Sequence, residues 1–243
     1  MASAIINRIP THKTYAEVFG GAALILFRKE PSAFETLNDL DRHLMNFYRV
    51  ARHHLEPLID EVAALQPSRD FFYALRDELD RPTMTDIQRA AAYYYVQRYA
   101  FAGRPEKPTL ATSPGRPVRC RASAARKILP LVADRLKNVM LENLSWERFI
   151  KLYDTQDTFF FVDPPYLGHD EYRHNLTKSD FEALAASLKA LKGRFLMTHT
   201  DSQKIRSLFD GLNIEAIEIS YSTNKLTAGH KCLIGKEVLI SNY

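Results

Sequence analysis

TFFFVDPPYLGHDEY, residues 158 to 172, runs an apolar, aromatic segment straight into Asp-Pro-Pro-Tyr. A β-strand cannot continue through two prolines, because each lacks the N–H that the ladder needs and each locks φ. The strand therefore ends at Val162 or Asp163. A carboxylate, a stiff dipeptide and a phenol are then held at its C-terminal end, where ligands bind in an open α/β sheet. Pro-Pro is also a common turn and Asp a common strand terminator, so the tetrapeptide alone leaves a plain turn open.

On both sides of this segment strands alternate with helices. After Ser123, SAARKILPLVADRLK reads as a helix, VMLENL as a strand and SWERFIKLY as a helix leading into TFFFVD. Next come TKSDFEALAASLKALKG, a helix capped near Thr177 and closed by Gly193, the strand RFLMTH and the helix DSQKIRSLFDG. The last two strands, IEAIEISYS and EVLISNY, are joined without a helix and are expected to be antiparallel. Nearer the N-terminus, YAEVF, the Gly20-Gly21 turn, AALILFRK and AFETL form a βαβ unit. The alternation predicts an α/β fold with a mainly parallel sheet covered by helices on both faces. From Leu40 to about Phe101 the pattern is helical throughout, with Ser68 as an N-cap. We therefore expect a catalytic domain from 1–44 and 123–243, interrupted by a helical insertion over 45–122.

The 46% hydrophobic content and 26% charge suit a folded domain, and 243 residues suffice for one sizeable core. Net charge is +4, unevenly distributed. Arg104, Lys107, Arg116, Arg119, Arg121, Arg126 and Lys127 crowd one Pro- and Gly-rich segment against Glu106 alone. One basic segment on an otherwise slightly acidic chain points to a polyanionic partner met at one place. Cys120 and Cys232 form no disulfide framework, which suits a reducing cytoplasm. No signal-peptide core and no membrane-length apolar run is present, so no membrane partner is expected.

The Gly20-Gly21 turn lets backbone approach a bound group closely, and Asp39, about 20 residues on, suits ribose hydroxyls. A full G-x-G-x-x-G is absent, which suits a nucleoside without phosphates. Asp163 and the Pro164 carbonyl supply two acceptors for the hydrogens of a planar amine, favouring the geometry in which its lone pair points outward. Tyr166 offers a face on which a base can stack.

These segments, in this order, resemble the class α DNA N6-adenine methyltransferases, the group that includes the DNA adenine methylases. The resemblance spans almost the whole chain. TYAEVFGGAALILF is similar to the family's S-adenosylmethionine motif, Tyr-x-Glu-Pro-Phe and a glycine turn, and LNDLDRHLMNFYRV to its Asn-Asp segment. YYYVQRYAFAG resembles the helix end before its target-recognition region. VMLENLSWERFIKLYDTQDTFFFVDPPY resembles its approach to the catalytic motif, and EVLISNY its last strand. The resemblance implies a Rossmann-like S-adenosylmethionine-dependent methyltransferase fold, with an antiparallel C-terminal strand and a helical target-recognition insertion. It implies transfer of a methyl group from S-adenosyl-L-methionine to adenine N6 in a specific double-stranded DNA sequence, by base flipping.

By the same resemblance, Tyr15, Glu17, Phe19, Gly20, Gly21, Asp39, Asn143, Leu144 and Asp163 surround the cofactor. Asp163, Pro164, Pro165 and Tyr166 receive the target adenine. Arg104, Lys107, Arg116, Arg119, Arg121, Tyr172 and Asn175 meet DNA. The family's recognition sites are commonly short palindromes, compatible with a monomer or a homodimer, and a cytoplasmic protein of bacterial or phage origin is expected. Two departures stand out. Val18 replaces the motif proline, and the chain begins at MASAIINRIPTHKTY, just after the place of the family's Gly-Gly-Lys-like segment. Rival readings are an RNA adenine methyltransferase, or a weak or degenerate homologue that binds DNA without catalysis. Glutamine methylation fits less well, since relatives with that activity prefer Asn in place of Asp163.

Other clusters carry less. His169, Asp170, Glu171 and His174 lack the spacing of a helical metal site, and methyl transfer needs no metal. Tyr93, Tyr94, Tyr95, Tyr99 and Phe101 suit helix packing better than base stacking. Trp146 suits either the cofactor pocket or the core.

Overall fold

The computed structural model describes residues 1–100, 108–111, 121–167, 175–220 and 234–243. The strands are β1 (Thr14–Glu17), β2 (Phe34–Asn38), β3 (Val139–Glu142), β4 (Thr158–Val162), β5 (Arg194–Thr200), β6 (Asn213–Ser220) and β7 (Ile234–Ser241). They form one sheet in the order β3-β2-β1-β4-β5-β7-β6. β1 lies between β2 and β4, parallel to both, and β4 is parallel to β5. β7 inserts antiparallel between β5 and β6, as the missing helix between the last two strands predicts.

The chain divides into two compact units, one holding Met1–Leu40 and the described residues from Leu144 onward, the other those within Asp41–Asn143. The first contains α1 (Ala2–Ile6), α2 (Leu24–Arg28), α8 (Trp146–Tyr153), α9 (Lys178–Lys189) and α10 (Gln203–Leu208). β4 is buried at every position, as a strand covered on both faces must be. Phe160 and Val162 join Phe195 and Met197 of β5, Phe149 of α8 and Phe181 of α9 in one core. Truncating Phe160 to Ala would cost about 3–5 kcal/mol at such a site. Trp146 is buried in the same cluster. Ser145, Thr177 and Ser202 cap α8, α9 and α10 by accepting a first-turn N–H, so a polar residue sets each start.

Gly193 does not close α9, whose C-cap is Ala190. Its lack of a side chain serves another contact: a Cβ there would lie 2.6 Å from the Thr158 carbonyl oxygen and 2.8 Å from that of Thr155. The glycine admits the start of β5 beside β4.

The second unit contains α3 (Arg42–His53), α4 (Leu55–Ala64), α5 (Arg69–Glu78), α6 (Asp86–Tyr99), α7 (Arg121–Leu136) and β3. The continuous apolar periodicity of residues 42–64 hides a break at His54, where φ is −134° and ψ is 46°. Pro57 explains it, since its ring collides with the carbonyl four residues back, at His53, and it has no N–H to offer. Ser68 caps α5, and Thr85 with Gln88 forms a capping box on α6. The tyrosines pack within the unit: the Tyr95 ring lies 4.6 Å from that of Tyr99, and its hydroxyl donates to the Gln66 carbonyl. Among the described residues no helix is long and apolar enough to cross a membrane.

Candidate active site

The carboxyl ends of β1, β2 and β4 bring one set of polar groups together. β1 ends on Glu17, which is 2% exposed and accepts from the Tyr15 hydroxyl at 2.6 Å and the Leu26 N–H at 3.2 Å. Burial pushes the Glu17 carboxyl up to about 8; the two hydrogen bonds oppose the push and the charge of Asp163 adds to it. Tyr15 is wholly enclosed, with the Lys29 ammonium 4.4 Å from its ring centroid. Lys29 is itself buried against Glu35 at 2.5 Å, and the enclosed Tyr15 reaches Glu17 through its hydroxyl.

The turn after β1 needs both glycines for different reasons. A Cβ on Gly20 would meet Leu37 Cδ1 at 2.8 Å and the Asn38 carbonyl oxygen at 2.9 Å. Gly21 has φ +47°, and nothing lies within 4 Å of where its Cβ would point. Its N–H donates to Asp39 Oδ2 at 2.8 Å. Ala23 follows at φ 48°, an uncommon left-handed conformation for a residue with a side chain. Val18 donates its N–H to the Phe161 carbonyl at 3.0 Å, a ladder bond that the family's proline lacks.

Asn38, the unpredicted member of the Asn-Asp pair, clamps two loops. It is 1% exposed; its amide donates to the Val18 and Leu144 carbonyls at 3.0 and 3.1 Å and accepts from the Leu144 N–H at 2.9 Å. Its only sequence signal was adjacency to Asp39.

β4 ends at Val162, and Asp163 follows at the predicted place. The residue is exposed, yet enough protein surrounds its carboxyl for burial to push it up to about 6. The Thr198 hydroxyl opposes that push and the charge of Glu237 adds to it. The carboxyl is crowded by protein in an exposed residue, so water offsets some of the burial. Thr198, fully buried on β5, donates to Asp163 Oδ1 at 2.5 Å. Pro164 is buried, and Pro165 and Tyr166 are half-buried. The Tyr166 ring lies 4.8 Å from that of His199, and its hydroxyl is 3.4 Å from the buried Glu237.

This arrangement offers a fixed acceptor and an adjacent aromatic face close to the acidic, glycine-containing turn after β1. The family model for the D12 class N6 adenine-specific DNA methyltransferases matches residues 1–223. The chain belongs to this family. Its reaction is methyl transfer from S-adenosyl-L-methionine to adenine N6 in DNA. The sequence is 24% identical to the type II methyltransferase M.MjaIII of Methanocaldococcus jannaschii, over 95% of this chain and 89% of that one. Among solved structures, a conserved hypothetical protein of Streptococcus pyogenes aligns with TM-score 0.42 and 13% identity, covering 100% of this chain and 96% of that one. SMU.472, assigned provisionally as a methyltransferase and complexed with SAH, aligns with TM-score 0.41 and 12% identity. It covers 100% of this chain, which spans 52% of that structure.

The residues gathered at this end of the sheet fit that cofactor. S-adenosylmethionine is a cation without phosphates, and the carboxylates of Asp39 and Asp163 lie at the same end of the sheet as the buried Glu17 carboxyl, with open space over Gly21. Phe19 is half-buried after β1, and Leu144 is half-buried under the Asn38 clamp. Asn143 is exposed after β3, at the end of the second unit.

Asn175 is exposed ahead of α9, and Arg121 opens α7. Arg104, Lys107, Arg116, Arg119, Tyr172 and both cysteines lie outside the described residues, as do His169, Asp170, Glu171 and His174. Thr198, His199 and Glu237 were not anticipated. The signal available was position: the first two close the strand next to β4, and Glu237 breaks into an apolar run.

Proposed function

We propose that the enzyme acts on an adenine rotated out of a specific double-stranded DNA sequence and received between Asp163 and Tyr166. The observation that carries this reading is Asp163: an exposed residue immediately after β4 whose carboxyl is held in one orientation by Thr198. Extrusion of a base costs about a few kcal/mol, which contacts to the flipped base offset. Tyr166 supplies a stacking face. Asp163 and the Pro164 carbonyl accept the two N6 hydrogens, directing the nitrogen lone pair outward.

Glu17, Phe19, Gly20, Gly21, Asp39, Asn143 and Leu144 hold the cofactor, with the Tyr15 hydroxyl bracing Glu17. When bound, S-adenosylmethionine supplies an electrophilic methyl group on a sulfonium. After transfer the amino nitrogen carries one proton too many, and Asp163, whose proton affinity is raised, takes it and passes it to solvent. The helical unit and the basic segment of Arg104, Lys107, Arg116, Arg119 and Arg121 bind duplex phosphates, so affinity falls steeply with salt.

Single-molecule sequencing of DNA from a methylation-free bacterium tests the reading, comparing cells that express the intact chain with cells that express Asp163→Ala. N6-methyladenine at one motif, absent with the variant, is the expected result. No methylation by soluble intact protein would overturn it.

A further inference from the structure

Beyond the residues that meet substrate or cofactor, one buried histidine is built into the support of the catalytic turn. His199 is 2% exposed near the end of β5, and every polar contact described for its ring is directional. Its Nε2 lies 3.1 Å from the Leu167 backbone nitrogen, which has only a hydrogen to offer, so Nε2 is the acceptor. Its Nδ1 lies 3.0 Å from the Thr200 carbonyl oxygen, which can only accept, so Nδ1 carries the proton. The two bonds select one neutral tautomer. The ring then packs at 4.8 Å against Tyr166 and edge-on at 5.3 Å against Phe181 of α9.

Strand periodicity gives these contacts a division of labour. Neighbouring residues on a strand point to opposite faces of the sheet. Thr198 reaches Asp163, the first residue of Asp-Pro-Pro-Tyr, while His199 reaches Tyr166 and Leu167 at its far end. Consecutive positions of β5 thus grip both ends of the same tetrapeptide.

We propose that His199 is a positioning residue for methyl transfer: as the Nδ1–H tautomer it accepts the Leu167 N–H and sets the plane of the Tyr166 ring. This rests on the reading of Tyr166 as the face that receives adenine. Its acceptor acts through Leu167 and its ring through Tyr166, so the two effects are separable by substitution. His199→Phe keeps a ring between Tyr166 and Phe181 but has no acceptor. His199→Gln keeps an acceptor but has no ring.

The test uses the purified full chain on plasmid DNA from a methylation-free host, with labelled S-adenosylmethionine. Both variants are expected to lower kcat by about ten- to a hundredfold, the scale of a misplaced reacting group. The cofactor dissociation constant, measured by calorimetry, stays within about twofold, because no cofactor contact is removed. Tyr166→Ala combined with His199→Gln is expected to be no slower than Tyr166→Ala alone, since the ring acts only through Tyr166. Exchange of the Leu167 amide, followed by NMR, is expected to be at least about tenfold faster in His199→Phe and near wild type in His199→Gln.

Wild-type kcat in both folded variants, additive losses in the double variant, or an unchanged Leu167 exchange rate would each overturn the proposal. The exchange measurement needs no activity. If the intact chain fails to methylate adenine in duplex DNA, the functional reading falls, while the exchange rates still decide whether His199 holds the turn.

Discussion

The Thr198 hydroxyl donates a 2.5 Å hydrogen bond to Asp163 Oδ1, tying a fully buried side chain of β5 to the carboxylate that follows β4. The bond restricts the carboxylate to one orientation and lowers its proton affinity against the opposing push of burial. A hydroxyl donor at this position therefore sets both the aim and the charge of the carboxylate that the proposed function assigns to the target amine.

In the proposed function Asp163 must be ionised to accept an N6 hydrogen, so kcat/KM is expected to fall as pH drops through its value of about 6. Thr198→Val removes an interaction that lowers this value, and the acid limb moves to higher pH. Its kcat falls by about ten- to a hundredfold, while Thr198→Ser stays close to wild type. A pH–rate profile of the three proteins checks this; an unmoved acid limb in Thr198→Val would remove Thr198 from the account.

Glu17 titrates at about 8 in the folded chain against an ordinary value of 4.5. The folded state holds a proton that the unfolded state releases, so this contribution is complete below 4.5 and is lost as pH rises toward 8. Glu17→Gln keeps an acceptor for the Tyr15 hydroxyl and the Leu26 N–H without that loss. Relative to wild type it gains on the order of a few kcal/mol above about pH 8, and little near pH 4.5. Urea unfolding at the two pH values measures the difference, and cofactor titration shows weaker binding by the variant.

Gly20→Ala forces a Cβ toward Leu37 and the Asn38 carbonyl, which is backbone and cannot swing aside. The expected cost is about 1–3 kcal/mol, with cofactor affinity reduced by at least about tenfold as the turn shifts. Gly21→Ala meets no atom and pays chiefly for its left-handed φ, roughly 1 kcal/mol. Thermal melts and cofactor titrations of the two variants separate close approach from backbone strain; equal losses would contradict the packing argument.

Asn38→Ala leaves the Val18 and Leu144 carbonyls and the Leu144 N–H without their shared partner. A loss of about 2–4 kcal/mol is expected from the unpaired groups. Chemical denaturation gives the stability, and calorimetric titration gives the accompanying loss of cofactor affinity. A variant with wild-type stability would mean that the loop after β1 is held by other contacts.

Much of the first unit was legible because its signals are local. Ser145, Thr177 and Ser202 precede their helices, and two prolines end β4 where a ladder cannot continue. The misreadings have local causes too. Residues 42–64 kept an apolar period of three and four across His54, because the period of side chains is silent about Pro57 and the carbonyl at His53. Gly193 looked like a helix stop because a glycine after a helix usually is one; only the Thr155 and Thr158 carbonyls reveal its use.

The sequence by itself determined the strand–helix order, the antiparallel last strand, the Asp-Pro-Pro-Tyr turn and the glycine turn after β1. Each depends on backbone restrictions and side-chain periods that act over a few residues. Tertiary structure alone decided which side chains stand behind those turns. Asn38 meets Leu144 across 106 positions, Thr198 meets Asp163 across 35, and Glu237 meets Tyr166 across 71. Such pairs arise from the crossover order of the sheet, which sets β5 beside β4 and β7 beside β5. No residue-to-residue period records that order, so the Asp-Pro-Pro-Tyr turn could be read from the chain while the groups packed behind it could not.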